Sequence, residues 1–151
     1  MKLNSASYSR LRGVHPDLVR VVMRCAEDWK DPDTGFIVTC GVRSLEEQKL
    51  LVAKGASKTL RSRHIPAKNG YGHAVDLACS VKDQVRWDWN LYIRLAMQMR
   101  LAAKKEKVLV EWGGSWTLLS DLPSTITGAN LSKSFPDGPH YQLPWAQYPG
   151  T

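Results

Sequence analysis

What this sequence has little of narrows it first. Among 151 residues there are three cysteines, Cys25, Cys40 and Cys79. The number is odd and no C-x-x-C spacing occurs. That excludes a disulfide framework and a thiolate zinc knuckle, and leaves them as small apolar residues of a reduced protein. No stretch approaches the roughly 20 apolar residues of a membrane span. Met1 to Arg10 lacks the apolar core of a secretory leader. The expectations are synthesis in a cytoplasm without export by that route, and no stable insertion into a membrane. There is no internal repeat. Histidine is scarce as well, with four in the chain, so each can be weighed singly.

What is present fits a soluble globular protein: 43% of residues are hydrophobic and 23% charged. The length suits a single domain over residues 1–151, large enough to bury a real core. A monomer is expected. The net charge is +7, which suits nucleic acid, an anionic surface or plain solubility. The cations are dispersed, and no nucleic-acid motif or aromatic-basic strand pattern accompanies them, so no nucleic-acid partner is expected. One local run of them is Lys58-Thr-Leu-Arg61-Ser-Arg63.

Periodicity lays out the elements. Residues 1–14 read as an irregular lead-in. His15-Pro16-Asp17 opens a helix, with proline where its missing N–H costs nothing and Asp17 at the positive end. Leu18, Val21, Val22, Cys25, Ala26 and Trp29 form its apolar stripe. His15 belongs to that helix start as a structural residue. After the turn Asp31 to Gly35, Phe36 to Cys40 reads as a strand. Ser44 and Glu47 make a capping box for a helix from Leu45 to about Lys54. His73 to Cys79 reads as a second strand, with Ala74, Asp76 and Ala78 on one face and His73, Val75 and Leu77 on the other. A long helix is expected from about Asp83 to Lys105, with Trp89, Tyr92, Ala96, Met99 and Ala103 along one side. Val108 to Trp112 reads as a third strand, 117–138 as a loop-rich excursion, His140 to Leu143 as a last short strand, and the tail after Pro144 as a surface segment.

Two stretches carry chemistry. Ser62 to Asp76 contains His64, the turn formers Pro66 and Asn69-Gly70, and a carboxylate mid-strand at Asp76. Asp137-Gly-Pro-His140 lies near the C-terminus. A catalytic zinc takes three protein ligands from His and Asp/Glu and keeps one position open. His64, Asp76 and His140 supply that set. Asp137, in a tight turn three residues before His140, is left as a carboxylate near the metal but not on it, the place of a general base. Turn formation is its plain alternative. His73 shares no face with Asp76 and is set aside as a ligand. Arg43 stands where a strand hands over to a helix, suited to donate to a carbonyl or carboxylate oxygen. A salt bridge to Glu46 or Glu47 is the plain alternative.

The order S-x-H, G-x-A-x-D, D-x-x-H resembles the zinc D,D-carboxypeptidase and L-alanyl-D-glutamate peptidase group. That group includes VanX- and VanY-like enzymes and, as the nearest likeness, phage endolysins. The resemblance runs from Gly13-Val-His-Pro-Asp-Leu18 through Gly41-Val-Arg-Ser44 and the W-G-G-x-W stretch from Trp112 to Trp116, to His140-Tyr-Gln-Leu143. One departure stands out: seven residues, instead of two, separate His64 from Gly72. The resemblance implies an α+β fold, with two or three helices on one face of a small, mainly antiparallel sheet and a zinc cleft on the other. It implies Zn2+ on His64, Asp76 and His140, Asp137 as general base, and Arg43 binding substrate and steadying the oxyanion. It implies cleavage of peptidoglycan stem peptides, most simply at the L-alanyl-D-glutamate bond, by an endolysin that is made in the host cytoplasm and acts on the wall, in the periplasm, after release. No separate wall-binding module is expected. The alternatives are a D-Ala-D-Ala carboxypeptidase of the same group and a zinc-containing binding domain of the same fold without catalysis, as in hedgehog signalling domains.

Overall fold

The computed structural model describes residues 1–151. Its elements, in order, are α1 (Ser5–Arg10), α2 (Pro16–Asp28), β1 (Thr34–Cys40), α3 (Leu45–Ala53), β2 (Ala74–Val81), β3 (Gln84–Arg86), α4 (Trp89–Glu106), β4 (Glu111–Trp112), β5 (Thr117–Leu118) and β6 (His140–Gln142). The sheet runs β1-β2-β6-β4-β5, with β3 hairpinned onto β2, and every pairing within it is antiparallel. The α+β architecture is as expected, with four α-helices in place of two or three.

Sheet register separates an apolar face from a polar one. Val75 pairs with Tyr141 and Tyr141 with Trp112, while Val38 pairs with Leu77. All five are fully buried. Against them pack α2, through Leu18, Val21, Val22, Cys25 and Ala26, and α4, through Tyr92, Leu95, Ala96, Met99 and Ala103. On the opposite face the neighbouring row is Cys40, Asp76 and His140, aligned across β1, β2 and β6. The next polar row is Gln142 beside Glu111. Side chains alternate along a strand, so one register sends the apolar row into the core and the polar row into a cleft.

Several elements differ from the sequence reading. Residues 1–14 contain the helix α1, capped by Asn4, whose side chain accepts from the Ser7 N–H. Its six residues are too few to show a period, yet Ser7 is buried and its Oγ accepts from Val38 N–H of β1. The long helix begins at Trp89, and residues 84–86 pair with β2 instead. Lys82 and Asp83 adopt φ of 49° and 65°, left-handed values that make a tight hairpin turn without the glycine that usually signals one. Trp89, placed on the helix stripe, stays exposed at the helix start, and Leu95 and Ala102 are buried instead. The third strand pairs only at Glu111 and Trp112, although Val108 and Val110 are buried. The tail folds back: Tyr148 O–H donates to Asp17 at 2.6 Å, and Gly150 O accepts from Asn69 N–H at 2.9 Å.

Candidate metal centre

The row across β1, β2 and β6 owes part of its aim to an irregularity. Pairing runs regularly from Thr34 with Val81 to Val38 with Leu77, then skips Thr39, so that Cys40 faces Asp76. A bulge of this kind shifts one strand by a residue and re-aims the side chains beyond it. It turns β1 so that Cys40, Gly41 and Arg43 border the cleft. Gly41 is required here, since a Cβ would lie 1.9 Å from Arg10 O of α1. Its carbonyl meets His64 Nδ1 at 2.7 Å. His64 itself is carried by the Ser62–Gly72 loop, which is tied down by Arg43 N–H to His64 O at 3.0 Å and His73 N–H to Arg63 O at 2.7 Å.

His64 and His140 converge on one carboxylate oxygen. His64 Nε2 lies 3.3 Å, and His140 Nδ1 3.2 Å, from Asp76 Oδ1. The far nitrogen of each ring is occupied: His64 Nδ1 against Gly41 O, and His140 Nε2 against Gln142 Oε1 at 2.8 Å. Both partners are acceptors, so each far nitrogen carries the hydrogen. In a neutral ring the near nitrogen then presents a lone pair. Two lone pairs and an anionic oxygen at this spacing repel unless positive charge sits among them. Outer hydrogen bonds that fix the tautomer in this way are the usual support of metal-ligating histidines. The donor set therefore fits a divalent cation. Asp76 joins two groups of metal-capable atoms, one with Cys40 and His64, the other with Asp137 and His140.

Electrostatics agree. Burial acts to raise the Asp76 carboxyl, but hydrogen bonds and charge from His140 and His64 outweigh it and hold the group far below the usual carboxylate range. Burial opposes protonation of His64, but Asp76 outweighs it, so without a cation its pKa rises to about 10. The pocket thus draws in positive charge, as protons or as a metal. Asp137 moves the other way. Burial and the neighbouring Asp76 charge raise its carboxyl above the ordinary value, against the pull of His140. Its turn packs so tightly on β4 that a Cβ on Gly113 would sit 2.5 Å from Asp137 O. Asp137 N–H donates to Gly113 O at 2.9 Å.

Arg43 does not pair with Glu46 or Glu47. Its guanidinium donates to Gln48 Oε1 at 2.8 Å, approaches Asp76 Oδ2 at 3.5 Å and lies 3.3 Å from Cys40 Sγ. Gln48, which the sequence did not mark, is buried in α3 and also donates to Ser57 Oγ and Thr59 O, fixing both Arg43 and the neighbouring loop. Only a polar residue in a helix with weak amphipathy hinted at it. His73 lies away from the cluster, buried beside His15, with Asn69 on its Nε2. Burial, with the charge of Arg63, lowers its pKa to about 4. His15 caps α2, its Nδ1 accepting from Asp17 N–H. Of the tryptophans in W-G-G-x-W, Trp112 is core, its Nε1–H donating to Gly138 O. Trp116 stands on the cleft rim, its ring centroid 5.3 Å from that of His140. The cleft holds about 420 Å³ and is lined by Arg43, His64, Asp76, Asp137 and His140 among others. The residues inserted between His64 and Gly72 do not line it; they pack beside the tail.

These features define a small α+β protein with a cleft built around a His/Asp cluster able to hold a metal. The comparisons with known proteins are specific: the chain belongs to the phage L-alanyl-D-glutamate peptidase family, whose model matches residues 1–143. It is 30% identical over 108 residues to the L-alanyl-D-glutamate peptidase of Listeria phage A118, covering 71% of this chain and 36% of that relative. The match thus spans about a third of the relative's length. The crystal structure of the L-Ala D-Glu endopeptidase ChiX of Serratia marcescens superposes with a TM-score of 0.75 at 38% identity, over 98% of this chain and 94% of that one.

Proposed function

We propose that this protein is a zinc-dependent peptidase that cleaves the L-alanyl-D-glutamate bond of peptidoglycan stem peptides, acting as a phage-type endolysin on the host wall. The observation that carries the reading is the convergence of His64 Nε2 and His140 Nδ1 on Asp76 Oδ1, with both far nitrogens hydrogen-bonded to acceptors. His64, Asp76 and His140 would hold the ion. When bound, zinc supplies Lewis acidity, polarising a carbonyl and acidifying water.

The chain's own residues do the rest. Asp137 takes the proton of the attacking water and returns it to the leaving amine. A carboxyl raised by burial is suited to both halves of that exchange. Arg43, held by Gln48, donates to the carbonyl oxygen as charge develops on it. Trp116 lies beside His140 on the cleft rim, where it can contact bound substrate. No helix is long and apolar enough to cross a membrane.

The test pairs two measurements on one preparation. Elemental analysis should find one zinc per chain. Purified peptidoglycan should release new amino-terminal glutamate, and a chelator should abolish that release. A different new terminus would change the bond; zinc without cleavage would leave a binding domain.

A further inference from the structure

One wall of the cleft is basic and aromatic. Lys58 Nζ stands 4.5 Å from the Phe135 ring centroid, and Arg61 Cζ stands 4.2 Å from that of Trp145. The buried Arg63 guanidinium lies over the same Trp145 ring at 4.1 Å, and donates to Leu143 O and Tyr148 O. Arg63 is thus committed to the backbone. Lys58 and Arg61 are not: both are exposed, and neither forms an ion pair. Yet both line the cleft that holds the His/Asp cluster. Long cationic side chains free of any acid normally wander in solvent; packing along aromatic faces restrains these two at the cleft.

Trp145 lies beyond residues 1–143, where the family match ends. The backbone that carries it is held by Arg63 and, through Tyr148, by Asp17. This wall is therefore partly built from the C-terminal tail.

Resting on the peptidase reading above, we propose that Lys58 and Arg61 form an anion subsite that selects stem peptides with free carboxylates on the leaving-group side of the scissile bond. The chemistry of the substrate permits only that side. The alanyl residue offers a methyl group and no acid. The glutamyl residue is dicarboxylic, so it keeps one carboxylate after forming a single onward peptide bond. Two restrained cations match a carboxylate and leave its amide without a charge-assisted partner.

The experiment compares two N-acetylated stem peptides, one with free carboxylates beyond the alanine and one with those groups amidated. The wild-type protein should turn over the acid form with kcat/KM about tenfold or more above the amide. In Lys58→Met/Arg61→Gln that ratio should collapse toward one, chiefly through KM, while cleavage of the amide stays near wild type. Trp145→Leu should lower the ratio part of the way. Equal kcat/KM for both peptides in the wild type, or an unchanged ratio in the double variant, would overturn the subsite and keep the peptidase. Calorimetry on Asp137→Asn separates the other failure. Tighter binding of the acid form, without turnover by wild type, would keep the subsite and remove the peptidase reading.

Discussion

At the scale of single residues, the candidate site divides into groups that would touch the metal, groups that would move protons and groups that aim the others. Asp137→Asn should lower kcat by about 10²- to 10⁴-fold with zinc content unchanged, because only the proton acceptor is lost. Loss of zinc along with activity would instead make Asp137 a ligand. Gln142→Ala frees the far nitrogen of His140. Zinc affinity should fall by about 10- to 100-fold, measured by competition with a chromogenic chelator. Gln48→Ala removes the anchor of Arg43 and of the Ser57–Thr59 backbone together.

Among elements, the junctions matter more than the helices themselves. Gly41 joins three of them: it ends the bulged strand β1, touches Arg10 at the end of α1 and offers its carbonyl to His64. Gly41→Ala should cost about 2 kcal/mol or more in denaturant unfolding, because the clash is with backbone and cannot be relieved by a side-chain rotation. It should weaken zinc binding in the same protein. The tail is a second junction. Tyr148→Phe deletes one hydrogen bond to the Asp17 carboxylate at the start of α2. A loss of about 1 kcal/mol is expected, read as a lower Tm.

Across the whole molecule, acid stability should bear the mark of a histidine remote from the cleft. His73 is buried, and its pKa is lowered to about 4, against about 6.5 for an unfolded chain. Between those values the unfolded state binds the proton and the folded state resists it. Stability therefore falls as pH drops from about 6.5 toward 4 and levels below that. Replacing His73 with Gln should flatten that part of the stability profile, measured by urea unfolding at stepped pH. The charge of +7 belongs to this scale too. Cleavage of an anionic wall should weaken with added salt more than cleavage of a short soluble peptide, since screening acts on long-range attraction.

Local chemistry was legible in the sequence. The caps at His15 and Ser44, the apolar stripe of α2, and the alternation that puts Asp76 opposite Val75 and Leu77 all arise from neighbours a few residues apart. Arg43, His64, Asp76, Asp137 and His140 were marked mainly through the order of motifs and the family they resemble, and the structure gathers them around one cleft. A short helix and a glycine-free hairpin escaped notice because neither is long enough to show a period. What only the tertiary structure decided depends on pairs far apart in the chain. Cys40, Asp76 and His140 align through strand register and a single bulge. Gln48 reaches Thr59, and Trp145 in the tail meets Arg61. No local pattern encodes such pairings; they arise when the apolar rows bury together and carry the polar rows into place on the other face.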